Sequence, residues 1–414
     1  METLRLGFIG AGFIAKFQAL AMKSVRGVDL VGVYALKGAD ELAAFAAEND
    51  LGDCEAYSSV AELCKHCDAV ALFAPNYVRL ELTEQIVAAV QAGAELKGII
   101  CEKPLGRTVA DAKQMVALAR QAKLPTAYFE NQIHMRSIKN ALEQLAPQQK
   151  VMGPIALARS AEEHAGPHEP WFWDPIRQGG GVLSDMGCHS IAASWFVLTP
   201  VGKPATFLEP VSINAETSLL KWGQPKYRQE LLDRMGVDYS KTPAEDFCTG
   251  IVTFRNPETG QIVKGQFTDS WMYDKQGLRL VMDGLGPGYA FEVNSLQSPL
   301  EVFIGDAAAD AVSDAETALE KSTASRGLLT VQPNEVDLYG YVDEIADARK
   351  AFLTGKDAFL SWEYGLEITK LVQAGYMSAE LGKTIDLTDP AVQKELDSYT
   401  SLIAQGKGAD VLKQ

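Results

Sequence analysis

Three side chains along this 414-residue chain have the types and spacing that proton transfer needs. Asp185 and His189 are four residues apart in a predicted helix, which would place them one turn apart on a single face. Imidazole changes its charge within the physiological pH range, and a carboxylate beside it can orient it and stabilise its charged form. Lys103 follows a predicted buried strand, so we expect it at the carboxyl end of a sheet, where ligands bind.

The same residues also have plain structural interpretations. Asp185 and His189 can simply pair with each other on the helix, and Lys103 by itself is typical of a solvated strand–helix turn. Chemistry at the helix is favoured by Gly179-Gly180-Gly181 immediately before it, because glycines let a backbone pass close to a ligand.

A glycine turn near the N-terminus predicts a dinucleotide site. Residues 4–9 form a short apolar strand pattern, and a helical pattern follows the turn. Gly10 permits the tight turn, Gly12 lets the backbone approach a pyrophosphate at the positive end of the helix, and Ala15 is small enough for close packing. The predicted contacts are Gly10, Ala11, Gly12, Phe13 and Ile14. We therefore expect Gly10→Val to block cofactor binding. The alternative interpretation of this motif is a plain strand–turn–helix corner with no ligand.

The end of the second predicted strand leaves NAD and NADP both open. An acidic residue at this place hydrogen-bonds the ribose hydroxyls of NAD. Tyr34-Ala35-Leu36-Lys37 has no acid there, and Lys37 is either a partner for the 2′-phosphate of NADP or a solvated loop lysine. Ala35 and Lys37 are therefore candidate cofactor contacts.

The elements that must position these residues follow two patterns. Up to about residue 129, strand-length apolar runs alternate with helical patterns, which predicts a doubly wound parallel sheet. Strand-like segments then follow one another over residues 204–304, which predicts a mixed or antiparallel sheet. We predict an α/β protein with a dinucleotide-binding domain over residues 1–128 and a second α/β domain over residues 129–414.

The totals exclude several classes of function. A formal net charge of −16 argues against nucleic acid or an anionic membrane as partner, since both need basic patches. No apolar stretch approaches the ~20 residues that span a bilayer, and no signal peptide is expected. Six scattered cysteines form no disulfide framework, so a cytoplasmic location is expected. Cys64-Lys65-His66-Cys67 lacks a second ligand pair at zinc spacing, and we expect no metal.

The loop over residues 164–174 is the candidate substrate region because it combines histidines, acids and aromatic residues. Aromatic faces pack on the C–H surfaces of sugars, and polar groups bind their hydroxyls. The candidate contacts are Trp171 and Trp173 as walls, with Glu162, His164 and His168 as polar groups. Two alternatives stay open: the aromatic residues pin the loop to the core, or His164, His168 and His189 bind a metal.

Further candidates follow other predicted strands of the first sheet. Ligands of doubly wound sheets bind at the carboxyl ends of the strands. This adds as candidate cofactor contacts Pro75, Asn76, Glu102, Lys103 and Asn131. Arg136 is a candidate for binding an anionic substrate group, or equally a structural ion pair.

Three motifs in this order resemble the Gfo/Idh/MocA family of sugar and cyclitol oxidoreductases. They are residues 7–15, Glu102-Lys103-Pro104 and the glycine-led segment over residues 179–189. The resemblance covers nearly the whole chain. It implies an N-terminal Rossmann domain, a C-terminal α/β domain with a large open sheet, a nicotinamide at the seam between them, and homodimers or homotetramers built through that sheet.

The resemblance also implies roles for single residues. It makes Lys103, Asp185 and His189 the catalytic set, with His189 as the acid/base and Lys103 binding the reacting oxygen. It suggests that the bond between Lys103 and Pro104 is cis. Arg79 departs from the family, whose members often have a histidine near this position, and the departure bears on cofactor or substrate contacts.

The function that the resemblance implies is hydride transfer between NAD or NADP and a secondary hydroxyl or ketone of a sugar, cyclitol or glycoside. One alternative is a glycosidase with tightly held NAD, which oxidises a ring hydroxyl, eliminates the aglycone, adds water and returns the hydride. Another is a sensor that keeps the fold without the chemistry. The presence of Lys103, Asp185 and His189 argues against the sensor.

Overall fold

The computed structural model of the chain describes residues 2–275, 277–297, 301–304, 327–330 and 334–412. The chain divides into two compact units, each made of discontinuous segments. The first unit comprises residues 1–139, 336–370 and 397–399, and the second comprises residues 140–335, 371–396 and 400–414. The predicted domains over residues 1–128 and 129–414, divided where the sequence pattern changes, stay a prediction.

The strands are numbered in chain order. They are β1 Leu4–Ile9, β2 Val28–Tyr34, β3 Glu55–Ala56, β4 Ala69–Leu72, β5 Gly98–Glu102, β6 Thr126–Phe129, β7 Leu157–Glu163, β8 Glu209–Ser218, β9 Phe247–Arg255, β10 Ile262–Ser270, β11 Arg279–Gly286, β12 Tyr289–Asn294, β13 Glu301–Ile304, β14 Gly327–Thr330 and β15 Ile385–Asp386.

The α-helices are named by their bounds. They are Phe13–Met22, Ala39–Glu48, Val60–His66, Arg79–Gln91, Val109–Gln121, Asn131–His134, Arg136–Met152, Pro175–Gln178, Cys188–Leu198, Pro225–Met235, Glu335–Leu338, Tyr341–Phe352, Trp362–Leu381, Pro390–Leu396 and Gly408–Val411. None of the helices in the described ranges is both long and apolar enough to cross a membrane.

Six parallel strands form the sheet of the first unit, in the order β3-β2-β1-β4-β5-β6. Every residue of β4 and β5 is buried, which is why β4 and the part of β5 before Glu102 are continuous apolar runs in the sequence. The strand order reverses between β1 and β4, and ligands of doubly wound sheets bind at such a switch point, outside the carboxyl ends of the strands. The predicted parallel sheet is confirmed.

The C-terminal part of the chain returns to this sheet. Two backbone hydrogen bonds, of 3.0 and 2.8 Å, join residues 358–360 to β6. The ring of Phe352, at the end of its helix, packs on Gly98 at the start of β5, where a Cβ would lie 2.5 Å from the ring. Residues far apart in the chain therefore complete the first unit.

Seven strands form the sheet of the second unit, in the order β12-β11-β7-β10-β9-β8-β15. The pair β7–β10 is parallel and the other pairs are antiparallel, so the predicted mixed sheet is confirmed. The buried helix Cys188–Leu198 covers one face, and its Trp195 stacks on Phe254 of β9. Ile251 and Ile262, on the opposite face, are 45% and 48% exposed.

One element of the second unit differs from the prediction. The sequence pattern predicts only strands over residues 204–304, but the helix Pro225–Met235 lies within this range. Leu231 is its one buried residue, and most of the segment is polar. Pro225 at the first position and Gly236 directly after the helix, with φ +68°, are start and stop signals that mark it nonetheless.

Candidate active site

The two glycines of the turn after β1 differ in the space that a side chain would have there. Gly10 has φ +118°, and a Cβ there would lie 2.6 Å from the carbonyl oxygen of Phe73, so this position requires glycine. Gly12 precedes the helix Phe13–Met22, and a Cβ there would have no heavy atom of the described residues within 4 Å. The start of the helix therefore has open space beside it, and a dinucleotide pyrophosphate fits the residues present.

This geometry corrects one expectation from the sequence. A side chain at Gly10 would point at the backbone of Phe73 and Ala74 and not into the space for the pyrophosphate. Its positive φ adds strain for any L side chain. Loss of binding in Gly10→Val would therefore report a distorted fold, and Gly12 is the position that tests the site.

Replacing Gly12 with valine is expected to lower dinucleotide affinity at least ~100-fold while the protein stays folded. The valine would occupy the open space, and the φ of −77° at Gly12 is ordinary for valine. Tryptophan fluorescence titrated with NAD and NADP measures affinity, and thermal unfolding without ligand checks the fold. Gly12→Ala, with a single added methyl group, is the matched control and should bind more tightly than Gly12→Val. Unchanged affinity in Gly12→Val would mean that this turn does not hold the pyrophosphate.

The loop after β2 lies beside the glycine turn. Gly38, with φ +80°, precedes the next helix, and a Cβ on it would lie 3.5 Å from the Cβ of Ala11. Lys37 is exposed in this loop and Ala35 is half-buried. Both stay predicted contacts for the adenosine end of a dinucleotide.

Other candidate residues follow the carboxyl ends of β4 and β5, which are neighbours in the sheet. Pro75 and Asn76 follow β4, and Asn76 is buried. Lys103 directly follows β5 and is half-buried. The bond between Lys103 and Pro104 is cis, as the resemblance suggests. The sheet order therefore brings these residues to the same edge as Gly10.

Glu102 is engaged in a buried hydrogen-bond network within the first unit. One carboxylate oxygen accepts from Gln18 Nε2 at 2.8 Å, and the other accepts from the backbone N–H of Lys103 at 3.1 Å. Gln18 Nε2 also donates to Glu344 at 2.8 Å. Burial, and next the charge of Glu102, raise the pKa of Glu344 well above its usual range. A proton on Glu344 thus relieves the repulsion between the two carboxyls, and Glu102 stabilises the turn at Lys103.

Two candidates after β6 have partners within the first unit. The buried Asn131 amide donates to the backbone carbonyl of Tyr339 at 2.8 Å. Arg136 is exposed and forms ion pairs with Asp343 at 3.2 Å and Asp337 at 3.5 Å. The structure therefore favours the ion-pair interpretation of Arg136, and we do not carry it forward as a substrate contact.

Asp185 and His189 lie on one continuous helical stretch of the second unit. A π-helical turn over Leu183–Gly187 leads directly into the α-helix Cys188–Leu198. Both side chains are buried, with exposed fractions of 5% and 4%. The Trp271 indole N–H donates to Asp185 Oδ2 at 3.3 Å, which orients the carboxylate. The prediction of α-helical spacing throughout this stretch is wrong. Single π-helical turns of this kind are frequent at functional sites.

The glycine run before this helix packs against protein and not against open space. A Cβ on Gly180, at φ +142°, would collide with the Tyr376 hydroxyl, and one on Gly181 would collide with Glu245. The Glu245 carboxylate accepts from the N–H groups of Gly181 and Leu183, each at 3.0 Å, and from the Tyr376 hydroxyl at 2.6 Å. These bonds satisfy amides at the helix start. Packing against protein accounts for glycine at Gly180 and Gly181, and close passage of the backbone by a ligand stays a prediction.

Two buried carboxyls hold the same helix in place. Burial raises the pKa of Glu245 to about 7. Burial also raises the pKa of Asp269 to about 8. The Asp269 carboxylate accepts from Ser190 Oγ at 2.6 Å and from the backbone N–H of Glu162 at 3.1 Å. Ser190 directly follows His189, and Glu162 is a buried residue of β7. Asp269 therefore links the backbone beside His189 to β7.

The two histidines of the predicted substrate loop have different surroundings. His164 follows β7, is buried, and accepts at Nδ1 from the N–H of Gly166 at 2.9 Å. His168 is exposed. Across the part of the chain that the structure describes, no three His, Cys, Asp or Glu side chains are grouped to hold a metal ion. The metal alternative for these histidines therefore gains no support.

The two tryptophans predicted to pack against a sugar, Trp171 and Trp173, also differ in their surroundings. Trp171 is half-buried and stacks on Phe172 with 3.8 Å between ring centroids. Trp173 has no exposed surface, and its ring lies 4.9 Å from Trp222 and 5.0 Å from Trp271. Trp173 is therefore a packing residue that supports Trp271, and only Trp171 stays a candidate wall.

Sequence reasoning missed the groups that hold the candidate side chains. Glu245 and Tyr376 are 131 positions apart, and no local motif links them. One signal was present: the acidic pair Glu245-Asp246, itself buried, stands directly before the strand β9. Adjacent acids at such a place are costly to bury unless hydrogen bonds satisfy them, which marks them as candidates for holding backbone amides.

Comparison with known proteins finds matches to both units. Residues 4–129 match an oxidoreductase family described by its NAD-binding Rossmann fold. Residues 146–284 match the GFO/IDH/MocA C-terminal domain.

Individual proteins are similar over different lengths. The 1,5-anhydro-D-fructose reductase of Ensifer adhaerens is 31% identical over 198 residues, which is 47% of this chain and 56% of that protein. The D-apiose dehydrogenase of Rhizobium rhizogenes is 25% identical over 399 residues, 94% of this chain and 98% of that protein. The crystal structure of GenD2 from gentamicin A biosynthesis, in complex with NAD, has a TM-score of 0.71 at 21% identity, covering 94% of this chain and 97% of that one. That likeness supports the fold.

Proposed function

This chain belongs to the Gfo/Idh/MocA family of oxidoreductases with an NAD-binding Rossmann fold, and from that premise we propose its reaction. The enzyme transfers a hydride between a nicotinamide dinucleotide and a secondary hydroxyl or ketone of a sugar, cyclitol or glycoside. The observation that carries the proposal is the open space at Gly12, beside a helix start at the switch point of the parallel sheet. The names of the two relatives, a sugar reductase and a sugar dehydrogenase, support the substrate class.

Three side chains carry the proton and the reacting oxygen in this proposal. A bound nicotinamide accepts or supplies the hydride. His189 takes the hydroxyl proton during oxidation and returns it during reduction. Lys103 donates a hydrogen bond to the reacting oxygen, and Asp185, oriented by Trp271, fixes His189 or a substrate hydroxyl.

The remaining contacts follow from burial and position. The dinucleotide contacts are Gly10, Ala11, Gly12, Phe13, Ile14, Ala35, Lys37, Pro75 and Asn76. Substrate contacts are Glu162, His164, His168 and Trp171, of which Glu162 and His164 are buried polar groups at the end of β7. Carboxylate and imidazole groups at this place can exchange hydrogen bonds with the hydroxyls of a polyol ligand.

The test combines binding and turnover. Thermal unfolding with NAD and with NADP comes first, since a ligand at 100 times its Kd stabilises the folded state by ~2.7 kcal/mol. The purified chain is then incubated with each dinucleotide and a panel of aldoses, cyclitols and aryl glycosides. We expect reduced nicotinamide to accumulate in a one-to-one ratio with oxidised product.

Other outcomes would contradict the proposal. Release of aglycone with no net reduced nicotinamide would identify the glycosidase alternative, which no observation on the described residues favours. Dinucleotide binding with no turnover on the whole panel, unchanged in a Lys103→Ala/His189→Ala variant, would identify a sensor.

Assembly and location complete the proposal. A homodimer or homotetramer is supported by the exposed isoleucines Ile251 and Ile262 on one face of the second sheet. A cytoplasmic location is supported by the six cysteines, all of which are free thiols and five of which are buried.

A further inference from the structure

The buried arginine at the start of the helix Arg79–Gln91 binds the turn that contains Lys103. Arg79 is 4% exposed. Its Nη1 donates to the carbonyl oxygen of Glu102 at 2.6 Å and also to that of Pro104. Its Nε donates to the carbonyl oxygen of Ala74 at 2.9 Å. One guanidinium therefore bonds the peptide groups on both sides of Lys103 and ties them to the segment that follows β4.

The choice of acceptors is unusual for a buried charge. In the described part of the chain, Arg79 forms no ion pair with a carboxylate, and backbone carbonyls accept its hydrogen bonds. Burying a charge is costly unless hydrogen bonds satisfy it, and the rigid fork of a guanidinium can meet several acceptors at once. A lysine at this position has no such fork.

The acceptors also lie where extra restraint is needed. Glu102 is the last residue of β5, beyond the last residue paired with β4, and Pro104 lies in the loop that leaves the strand. The backbone N–H of Lys103 is held from the other side by the Glu102 carboxylate. Together these bonds fix the backbone at Lys103 before any ligand arrives, which is the condition for a precisely placed reacting group.

We propose that Arg79 is a positioning residue for the reaction, which holds the backbone on both sides of Lys103 so that its ammonium group meets the reacting oxygen. The inference rests on the proposed function for the role of Lys103, and on the hydrogen bonds alone for the restraint.

The test uses Arg79→Lys, which keeps the charge, and Arg79→Ala. Arg349→Lys is the matched control, because Arg349 in the same unit also donates to backbone carbonyls, those of Gly27 at 2.7 Å and Glu2, at the amino ends of the strands. We expect kcat to fall ~10- to 100-fold in Arg79→Lys, with a smaller change in substrate KM. Arg349→Lys should keep the kcat of the unmodified protein. Millimolar guanidinium should restore part of the turnover of Arg79→Ala and none in Lys103→Ala.

Hydrogen exchange separates this inference from the proposed function. The peptide over residues 100–110 should exchange at least ~10-fold faster in Arg79→Lys than in the unmodified protein or in Arg349→Lys. Unchanged exchange in this peptide overturns the inference whether or not a substrate is found. Faster exchange with an unchanged kcat overturns the positioning role. The role is also overturned if kcat falls only in proportion to the melting temperature across all variants and guanidinium restores none of it. If the unmodified protein turns over no polyol, the proposed function fails while the exchange result still decides the restraint.

Discussion

Lys103→Ala is expected to lower kcat at least ~100-fold while dinucleotide affinity changes by less than about threefold. The Lys103 ammonium is proposed to donate to the reacting oxygen, and that bond strengthens as the oxygen gains negative charge in the transition state. The side chain is half-buried at the carboxyl end of β5, where its removal leaves the sheet intact. Steady-state kinetics at saturating dinucleotide measure kcat, and fluorescence titration measures affinity.

The control for this variant lies at the opposite end of the same strand. Lys97 directly precedes β5 and forms an ion pair with Glu2 at 2.8 Å near the surface. Exposed pairs of this kind contribute ~1 kcal/mol or less to stability, so Lys97→Ala should keep normal turnover. Near-normal turnover in Lys103→Ala, or an equal loss in Lys97→Ala, would remove Lys103 from the catalytic set.

His189→Ala is expected to lower turnover at least ~100-fold. It should also remove the fall in oxidation rate that the unmodified protein shows as the pH is lowered. A protonated imidazole cannot accept the hydroxyl proton, so oxidation in the unmodified protein should slow as the pH falls, and reduction should slow as it rises. The measurement is kcat/KM against pH in both directions, with dinucleotide binding followed in parallel.

Because His189 is buried, its truncation also leaves a cavity, and stability must be measured alongside turnover. His189→Gln preserves most of the volume without an acid–base group and should lose as much activity as His189→Ala. His66→Ala is the matched control, since His66 is exposed at the end of its helix and stacks on Tyr57. A pH profile of His189→Gln that keeps its acid side would show that another group accepts the proton.

Local patterns predicted most of the first unit. Strand-length apolar runs predicted the parallel sheet, and β6 shows the reason: every residue of it is buried, and a strand buried on both faces leaves an uninterrupted apolar signal. The turn at Gly10 was also predicted from local sequence, because a single glycine supplies the positive φ that the turn needs. The helix Pro225–Met235 was missed because it is mostly polar and buries only Leu231, so it leaves a weak signal beside the strand-like segments on either side.

The candidate site was predicted less completely than the fold. Residue type and spacing selected Lys103, Asp185 and His189 as candidates, and their roles stay predictions. Spacing did not distinguish Trp171 from Trp173, since both are aromatic residues of one loop and only packing against Trp271 separates them.

By itself the sequence determined the class of fold, the parallel sheet that carries the first candidate residues, and the turn that suits a pyrophosphate. Each of these depends on neighbours within about 20 residues, because hydrophobic periodicity and turn chemistry are local properties. Only the tertiary structure decided which groups hold the candidates: Gln18, which bonds Glu102, also reaches Glu344 across 326 positions, and Tyr376 reaches Gly181 across 195. Contacts of such separation are selected by burial and by the need to satisfy buried polar groups, and neither leaves a mark in a local stretch of sequence.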